Sequence, residues 1–197
     1  MISSDKNTIN ELVEKAIELF SIKGYAATNL TDITDALGIS RGPIYYHFKD
    51  KLGLYTAAFD KFDSDVRAAH AKIIDNDKHI INFIEDVIFD CAIRNTIYGP
   101  NFFVGIETIE ELKDVKYKYD LMNSDIYQEK IHYVERAKNK GEVMKSIDAK
   151  QIADLIYVIY NGLLTSIQSN LLKDYTENEM RNLIRILLFG IERYCCA

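Results

Sequence analysis

The sequence predicts an all-α protein, and three observations lead to that fold class. Apolar residues recur at i, i+3, i+4 and i+7 in successive runs along the chain, which is the periodicity of a helix with one buried face. The 197 residues include two prolines and nine glycines, too few interruptions for a turn-rich β-protein. With 48% hydrophobic and 27% charged residues, the chain can bury a real core. We expect about nine helices.

The first quarter of the chain predicts two helices followed by a tight turn. The first helix carries an apolar stripe from Ile9 to Phe20 and ends at Gly24. The second begins after Thr28, whose hydroxyl can cap the free amide groups at its start. It ends at Gly38, because glycine readily adopts the left-handed conformation that closes a helix.

A third, very short helix follows the turn, and its composition predicts nucleic-acid recognition. Ser40 stands where this helix needs an N-cap, and Ile44 and Phe48, four residues apart, supply its buried side. The tyrosines and the histidine between them face outward, which gives no gain in folding energy. Such a face suits a recognition helix in the major groove of DNA, so a helix-turn-helix is predicted. The alternative is a plain αα-hairpin with aromatic packing.

This region resembles the N-terminal signature of TetR-family transcriptional repressors over about residues 9 to 55. The resemblance is carried by Gly24-Tyr25, Thr28, Ile33, Gly38-Ile39-Ser40-Arg41-Gly42, Ile44-Tyr45-Tyr46-His47-Phe48 and Lys51-Leu52. It implies three N-terminal helices, of which the third enters the major groove, and a helical C-terminal domain that dimerises and binds an inducer. The DNA-facing residues that it implies are Thr28, Ser40, Arg41, Gly42, Pro43, Tyr45, Tyr46, His47 and Lys51.

Two residues depart from the pattern of the resembled family. Pro43 stands where members often carry a small or polar residue, so only apolar contact with DNA, for example with a thymine methyl, is expected there. Gly53 stands where an acidic residue is common, which predicts a looser first turn in the fourth helix. Both departures keep open an alternative function, that of a helical interaction protein that kept the fold but lost specific DNA binding.

The distribution of charge reconciles an acidic chain with DNA binding. The formal net charge is −6, which by itself points away from nucleic acid. Residues 1–55 contain six basic and seven acidic side chains, but the stretch from Arg41 to Lys51 has three cations against Asp50 alone. Positive charge is therefore concentrated at the predicted recognition helix, as expected of a protein that binds one particular site.

Helix four joins the two predicted domains. It is expected to begin near Lys51 and to end at Asp75, with no flexible linker before it. We therefore place the boundary near residue 50, with a helix-turn-helix DNA-binding domain at 1–50 and a helical ligand-binding and dimerisation domain at 51–197. Asp77 and Asp148 are expected to cap later helices. The remaining runs predicted to be helical are 77–97, 102–112, 116–139, 149–172 and 177–195, the second of which is ambiguous.

The last two helices predict a homodimer. Residues 149–172 and 177–195 are apolar on more than one face, and such an excess is usually hidden against a partner. In the resembled family, these helices pair with their symmetry mates in a four-helix interface. A twofold dimer also supplies the two recognition helices that a palindromic operator needs. The alternative is that both helices are buried within the monomer.

Aromatic residues predict a ligand pocket in the C-terminal domain. Thirteen tyrosines and nine phenylalanines could line a mostly apolar cavity for a small apolar or amphipathic inducer, although most of them should be core. Asn161 is the most informative candidate, because a buried amide needs a hydrogen-bond partner. The candidates are Phe83, Cys91, Tyr98, Phe103, Tyr119, Met122, Tyr127, Tyr157, Tyr160 and Asn161.

The spacing of reactive residues disfavours other classes of protein. The three cysteines form no C-x-x-C pair and the four histidines lack metal-binding spacing, so no disulfide framework, metal or cofactor is expected. No nucleophile is spaced with a base, which disfavours an enzyme. No apolar run reaches the ~18 residues of a membrane span and the N-terminus lacks signal-peptide features, so we expect a cytoplasmic protein.

Overall fold

The computed structural model describes residues 2–75, 77–172 and 174–195, and it confirms the all-α prediction. Over those residues there are eight α-helices, two short 3-10 helices and no strand. The α-helices are α1 (Ile2–Ala27), α2 (Leu30–Leu37), α3 (Gly42–Phe48), α4 (Lys51–Asp75), α5 (Ile80–Tyr98), α6 (Lys113–Asn139), α7 (Ala149–Gln168) and α8 (Glu177–Cys195).

The ambiguous run at 102–112 accounts for the difference between about nine predicted α-helices and the eight observed. It contains no α-helix. A 3-10 helix at Pro100–Phe103 overlaps its start, and a second one at Glu110–Leu112 forms its end. Gly99 and Gly105 adopt φ angles of 62° and 90°, which lie outside the α-helical region. The apolar spacing of this segment therefore reflects burial of individual residues in a folded loop.

The chain packs as two compact units. The first ends at Val66 and resumes over Thr96–Met122, and the second comprises Arg67–Asn95 and the chain from Asn123 onward. Helices α4, α5 and α6 each contribute residues to both units. The boundary predicted near residue 50 divides a DNA-binding domain from a ligand-binding one. The packing of the two units does not test that functional division, so the boundary stays a prediction.

The core of the first unit forms where α1 packs on the two short helices. Ile33 of α2 and Ile44 of α3 are fully buried, as their apolar spacing predicts. Leu37 and Phe48, which the same spacing assigns to the core, are only half-buried. Leu12 of α1 is fully buried as well. Burial of two large aliphatic side chains from helices this short provides most of the stabilisation that holds them.

Tyr55 on α4 joins the aromatic side chains of the first unit. Its ring centroid lies 5.0 Å from that of Phe20, 4.9 Å from Tyr25 and 5.2 Å from Phe102. Its hydroxyl donates a hydrogen bond of 2.6 Å to the Phe102 carbonyl. Burial raises the pKa of this phenol, so Tyr55 remains a neutral donor. The 3-10 helix at Pro100–Phe103 is thereby fixed to α4.

The end of α1 is held by the same segment. The helical backbone is interrupted at Gly24, where φ is 78°, so the predicted break is found at this glycine although helical residues continue to Ala27. The Asn101 side-chain amide donates to the Ile22 carbonyl at 2.8 Å. A Cβ atom on Gly99 would lie 3.0 Å from the Ser21 carbonyl oxygen, so glycine permits this close approach.

The second unit is built around α5, whose apolar residues form a large part of its core. Phe83 is fully buried and stacks on Tyr133 of α6, with centroids 3.7 Å apart and planes 6° apart. The Tyr133 hydroxyl donates to the Lys78 carbonyl at 2.6 Å. Tyr133 of α6 thus contacts α5 through its ring and the segment just before α5 through its hydroxyl.

Glu85 is a buried acidic residue in this apolar helix. Only 6% of its surface is exposed, and its carboxylate accepts hydrogen bonds from Arg181 at 3.3 Å and from Arg185 at 2.9 Å. Both arginines belong to α8. A buried carboxylate is tolerated when it is paired in this way, so the ion pairs fix the position of α8 on α5.

The two predicted N-caps of the C-terminal half have different outcomes. Asp148 accepts a hydrogen bond from the Lys150 N–H at 2.9 Å and caps α7, which confirms the prediction. Asp77 does not cap α5, because it has a φ angle of 39° and the helix begins only at Ile80. The Ile80 N–H donates instead to the Glu142 carboxylate at 2.8 Å. Because Glu142 lies far from α5 in the sequence, no local sequence pattern could predict this cap.

None of the helices in the described residues is long and apolar enough to cross a membrane.

His70 on α4 gives the second unit a dependence on pH. The side chain is buried, its Nε2 atom makes no hydrogen bond in the described structure, and the Glu129 carboxylate lies 3.3 Å away. Burial, and to a smaller extent the charge of Lys130, lower the pKa of His70 to about 4. The unfolded chain therefore binds more protons than the folded one between this value and the ordinary pKa near 6.5. Stability must fall as the pH falls through that window.

We expect the free energy of unfolding to decrease by at most about 2 kcal/mol between pH 7 and pH 5 through His70, because the Glu129 carboxylate 3.3 Å away partly stabilises the protonated imidazole. Urea denaturation followed by circular dichroism at the two pH values measures it. The His70→Leu variant should lose most of this pH dependence, whereas His132→Gln, at an exposed position, should retain it. Equal pH dependence in wild type and His70→Leu would show that another group is responsible.

Candidate nucleic-acid interface

The turn between α2 and α3 has the geometry that the sequence predicts. Gly38 adopts a left-handed conformation with φ of 67°, and its N–H donates to the Asp35 carbonyl at 3.2 Å. The Ile39 N–H donates to the Thr34 carbonyl at 3.0 Å. These two bonds satisfy carbonyls at the end of α2 and turn the chain directly into α3. The result is a helix-turn-helix.

The start of α3 differs from the prediction that Ser40 is its N-cap. Arg41 precedes the first helical residue, and its backbone is already helical, with φ of −73° and ψ of −12°. Its carbonyl accepts the Ile44 N–H at 3.1 Å. Pro43 lies in the first turn, where its missing N–H leaves no hydrogen bond unmade. Ser40 therefore lies one residue outside the cap position.

The outer face of α3 is strongly exposed and aromatic. Tyr46 is 80% exposed and Tyr45 is 54% exposed, while Ile44 on the opposite face is fully buried. The Tyr46 ring packs edge-on against His47 with centroids 4.7 Å apart. Large exposed tyrosines on a seven-residue helix add no core stability, so their presence indicates a binding surface. Contact of these residues with DNA remains a prediction.

Thr28 does not belong to that surface, contrary to the prediction. Its side chain is completely buried, and its hydroxyl donates to the Gly24 carbonyl at 2.7 Å. The cap of α2 is Asn29, whose N–H donates to the Asp32 carboxylate at 3.3 Å. A threonine hydroxyl can bond either forward to a helix start or backward to a preceding carbonyl, and the kink at Gly24 favours the second.

The other eight predicted DNA-facing residues are accessible. Those that are exposed are Ser40, Arg41, Gly42, Tyr45 and Tyr46, and those that are half-buried are Pro43, His47 and Lys51.

Lys51 has structural partners in addition to its predicted role. Its ammonium group donates to the Thr28 carbonyl at 3.0 Å and to the Ala26 carbonyl at 3.3 Å. It also lies 4.4 Å from the centroid of the Tyr25 ring, and partial burial lowers its pKa. Lys51 therefore ties the first turn of α4 to the segment after α1. Only one of its three N–H donors is left for a phosphate.

Negative charge near the surface is compensated within the protein. The Lys23 ammonium bonds the Asp32 carboxylate at 2.8 Å, and this hydrogen bond holds the pKa of Asp32 below its usual value. Asp32 stands in the first turn of α2, where the free carboxylate would repel a phosphate. The ion pair with Lys23 neutralises the Asp32 charge, which reduces its repulsion of a phosphate near the exposed face of α3.

The turn between α3 and α4 is tight, contrary to the looser turn predicted from Gly53. Lys49 has φ of 70° and ψ of −50°, and the Asp50 N–H donates to the Phe48 carbonyl at 2.9 Å, which makes a three-residue γ-turn. The Gly53 N–H donates to the Asp50 side chain at 2.7 Å. A Cβ atom on Gly53 would lie 1.9 Å from the Phe48 carbonyl oxygen. Glycine is required here by close approach of the two helices.

Two cavities in the part of the chain that the structure describes bear on the predicted sites. An open groove of about 560 Å³ runs beside the end of α3 and the start of α4, between His47 and Asp60. A smaller cavity of about 250 Å³ in the second unit is lined by α4, α5 and α8, with Phe89 and Arg181 among its residues. None of the ten predicted ligand-binding residues lines either cavity.

The predicted ligand-binding residues are divided between the two units. Phe83 and Met122 are buried, Tyr157 is 60% exposed, and the Asn161 amide donates to the Tyr157 carbonyl at 2.8 Å within α7. Asn161 thus has a local partner that does not require a ligand. The structure does not bring the ten residues together within one unit, so the ligand site stays a prediction. The first unit holds Tyr98, Phe103, Tyr119 and Met122, and the second holds Phe83, Cys91, Tyr127, Tyr157, Tyr160 and Asn161.

One residue of the interface was missed by the sequence analysis. Thr31 on α2 accepts a hydrogen bond of 2.8 Å from the Arg41 guanidinium, across the turn. Neither apolar spacing nor a local motif connects two residues ten positions apart. The contact depends on how the turn brings the start of α2 close to the start of α3.

Comparison with known proteins identifies relatives of this chain. The family model described as bacterial regulatory proteins, tetR family, matches residues 12–58. The chain is 36% identical over 61 residues to the HTH-type transcriptional regulator AcrR of Shigella flexneri, a match that covers 31% of this chain and only 28% of that protein. It is 24% identical over 160 residues to the HTH-type transcriptional repressor ComR of Escherichia coli K12, covering 78% and 76% of the two chains.

The fold of nearly the whole chain is similar to that of a solved structure. A TetR transcriptional regulator from Chloroflexus aurantiacus J-10-FL aligns with a TM-score of 0.75 and 25% sequence identity over 98% of each chain. The sequence likeness is thus strongest in the helix-turn-helix, and the structural likeness covers both units.

We expect Gly53→Ala to destabilise the protein by about 1–3 kcal/mol, because the added methyl group overlaps the Phe48 carbonyl oxygen. An ordinary glycine to alanine change within a helix would stabilise by up to about 1 kcal/mol. Thermal and urea denaturation of the purified variants measure the difference. Gly42→Ala is the matched control on α3, since its Cβ would make only ordinary contact with Ser40 at 3.5 Å. A Gly53→Ala protein as stable as wild type would contradict the close approach.

Proposed function

The N-terminal helix-turn-helix of this chain belongs to the TetR family of bacterial regulatory proteins, and from that premise we propose that the protein is a dimeric transcriptional repressor released from its operator by a small molecule. The exposed aromatic face of α3 is the observation that carries the proposal. Tyr45 and Tyr46 project from a helix whose other side is buried on the core. The site of action is the cytoplasm, where a bacterial chromosome lies.

Repression is favoured over activation by the relatives. ComR of Escherichia coli K12 is described as a repressor, and it aligns with 78% of this chain. A protein described as the probable acrEF/envCD operon repressor of Escherichia coli aligns with 83% of it at 24% identity. The matched proteins are transcriptional regulators and not enzymes, in agreement with the family of the helix-turn-helix.

Exposed apolar residues on α7 and α8 support the dimer. Val158 is 65% exposed and Tyr157 is 60% exposed on α7, while Ile186 is 72% exposed and Phe189 is 58% exposed on α8. Such residues on adjacent helices of one unit favour association with a second copy over burial in the monomer. Twofold symmetry then provides two recognition helices for a palindromic operator.

The inducer is proposed to be a small apolar or amphipathic molecule bound in the C-terminal domain. Its site would include some of the aromatic candidates named from the sequence, together with Asn161. An alternative site for an apolar group of the inducer is the part of the second-unit cavity that is lined by Phe89. Release of the operator requires that the inducer bind the DNA-free conformation more tightly than the DNA-bound one.

DNA binding is tested by fluorescence anisotropy with a labelled duplex from upstream of the coding region, beside a scrambled duplex, at several salt concentrations. We expect sequence-selective binding that weakens steeply with salt. Tyr46→Ala should weaken it about tenfold or more without unfolding the domain. Tyr117→Ala changes a tyrosine that is 65% exposed outside the helix-turn-helix, and should leave affinity unchanged.

Sequence-selective binding would support the repressor, and its absence would support the alternative of an interaction protein that lost DNA binding. If the protein does not bind the upstream duplex, selection from a random pool of duplexes can find an operator that lies elsewhere on the chromosome. Failure of that selection would favour the interaction protein. Equal loss of affinity in Tyr46→Ala and Tyr117→Ala would remove Tyr46 from the recognition surface.

A charge on the proposed dimer face should produce monomers. We expect Val158→Asp to shift the protein from dimer to monomer and to weaken operator binding at least tenfold, because an aspartate buried in an apolar interface lacks a partner. Size-exclusion chromatography with light scattering measures the mass.

Val104→Asp is the matched control for this test. Val104 is 59% exposed, close to the 65% of Val158, but lies between the two 3-10 helices. This variant should remain dimeric. A dimer of unchanged stability in Val158→Asp would show that α7 is not part of the interface.

A further inference from the structure

The hydrogen bond between Thr31 and Arg41 crosses the helix-turn-helix. The Arg41 guanidinium Nη2 donates to the Thr31 hydroxyl Oγ1 at 2.8 Å. Thr31 is the second residue of α2, and Arg41 directly precedes α3. Arg41 is exposed and Thr31 is half-buried, so this bond forms at the surface and not in the core.

The bond restricts a side chain that is otherwise flexible. An arginine side chain has many rotamers in water, and it loses that freedom when it is fixed against an acceptor. Its guanidinium has five N–H donors in a rigid planar fork, and the bond to Thr31 uses one of them. Donors therefore remain for a second acceptor, while the bond to Thr31 limits the positions that the guanidinium can take.

Thr31 is a suitable anchor for this purpose. Threonine divides between two χ1 rotamers in a helix, and the bond from Arg41 is made by the one that directs the hydroxyl across the turn. The Thr31 carbonyl accepts the Thr34 hydroxyl at 3.1 Å, which fixes the same turn of α2. Asp32, the next residue, is occupied by Lys23 at 2.8 Å and leaves Arg41 without a competing carboxylate from this turn.

We propose that Thr31 is a positioning residue for DNA recognition, which holds the Arg41 guanidinium so that it reads a guanine in the major groove. The inference rests on the proposed function. Residues at the N-terminal end of a recognition helix contact base edges, and arginine donates two hydrogen bonds to O6 and N7 of guanine. Thr31 acts by lowering the entropic cost of that contact and does not itself read the base.

The test uses full-length protein and the duplex that wild type selects from a random pool. Affinity is measured for this duplex and for each single base-pair change, with wild type, Arg41→Ala, Thr31→Val, Thr31→Ser and the double variant Thr31→Val/Arg41→Ala. Valine keeps the shape of threonine but removes the acceptor, and serine keeps the acceptor. Thermal denaturation of each variant reports folding, and Thr31→Ala replaces Thr31→Val if the latter does not fold.

Arg41→Ala should reduce the preference for guanine at one position in each half-site by roughly tenfold or more. Thr31→Val should reduce the preference at that same position by roughly three- to tenfold, as expected for freeing one long side chain. Thr31→Ser should retain the wild-type preference. In the Arg41→Ala background, Thr31→Val should have no further effect, because both substitutions act through one contact.

Three results would overturn the inference while leaving the repressor intact. Thr31→Val could keep the wild-type base preference, it could lose affinity equally at every base pair, or its effect could persist without Arg41. The last two would assign Thr31 to backbone positioning or to a contact of its own. A wild-type protein that selects no duplex at all contradicts the proposed function as well, so the two failures are distinguishable.

Discussion

The tie between the end of α1 and the start of α4 is the constraint on which the DNA-binding half depends. Thr28 bonds back to the Gly24 carbonyl, and Lys51 donates to the carbonyls of Thr28 and Ala26. The whole helix-turn-helix lies between these two anchors in the sequence. Its ends are therefore fixed relative to each other, and the two short helices need only two buried isoleucines to hold their places. Helices of eight and seven residues would not be stable alone.

This arrangement lets the outer face of α3 serve binding alone. Because Ile44 supplies the burial, the exposed positions are not needed for the core, and large polar aromatic residues occupy them at little cost in stability. Local charge follows the same division, since Lys23 neutralises Asp32 within the protein. The overall charge of −6 therefore says little about the local charge around the exposed face of α3.

The sequence predicted what depends on periodicity and on single-residue backbone preferences. The bounds of α4 and the closing turn at Gly38 agree with the structure. It could not predict choices between equivalent partners: Thr28 can bond forward or backward, and the N–H at Ile80 is bonded by Glu142 from a distant helix. Periodicity also marks an aromatic residue as buried without distinguishing core from pocket, which is why the ligand candidates are spread over two units.

The turn between α3 and α4 also limits how this recognition helix can be exchanged. Lys49 occupies a backbone conformation that glycine adopts more easily, and Gly53 leaves room for the Phe48 carbonyl only because it has no side chain. The two positions are thus geometrically coupled through a single peptide group. A hybrid regulator that receives α3 from another protein has to receive residues 49–53 with it, because a helix grafted without this turn would meet α4 at a different angle.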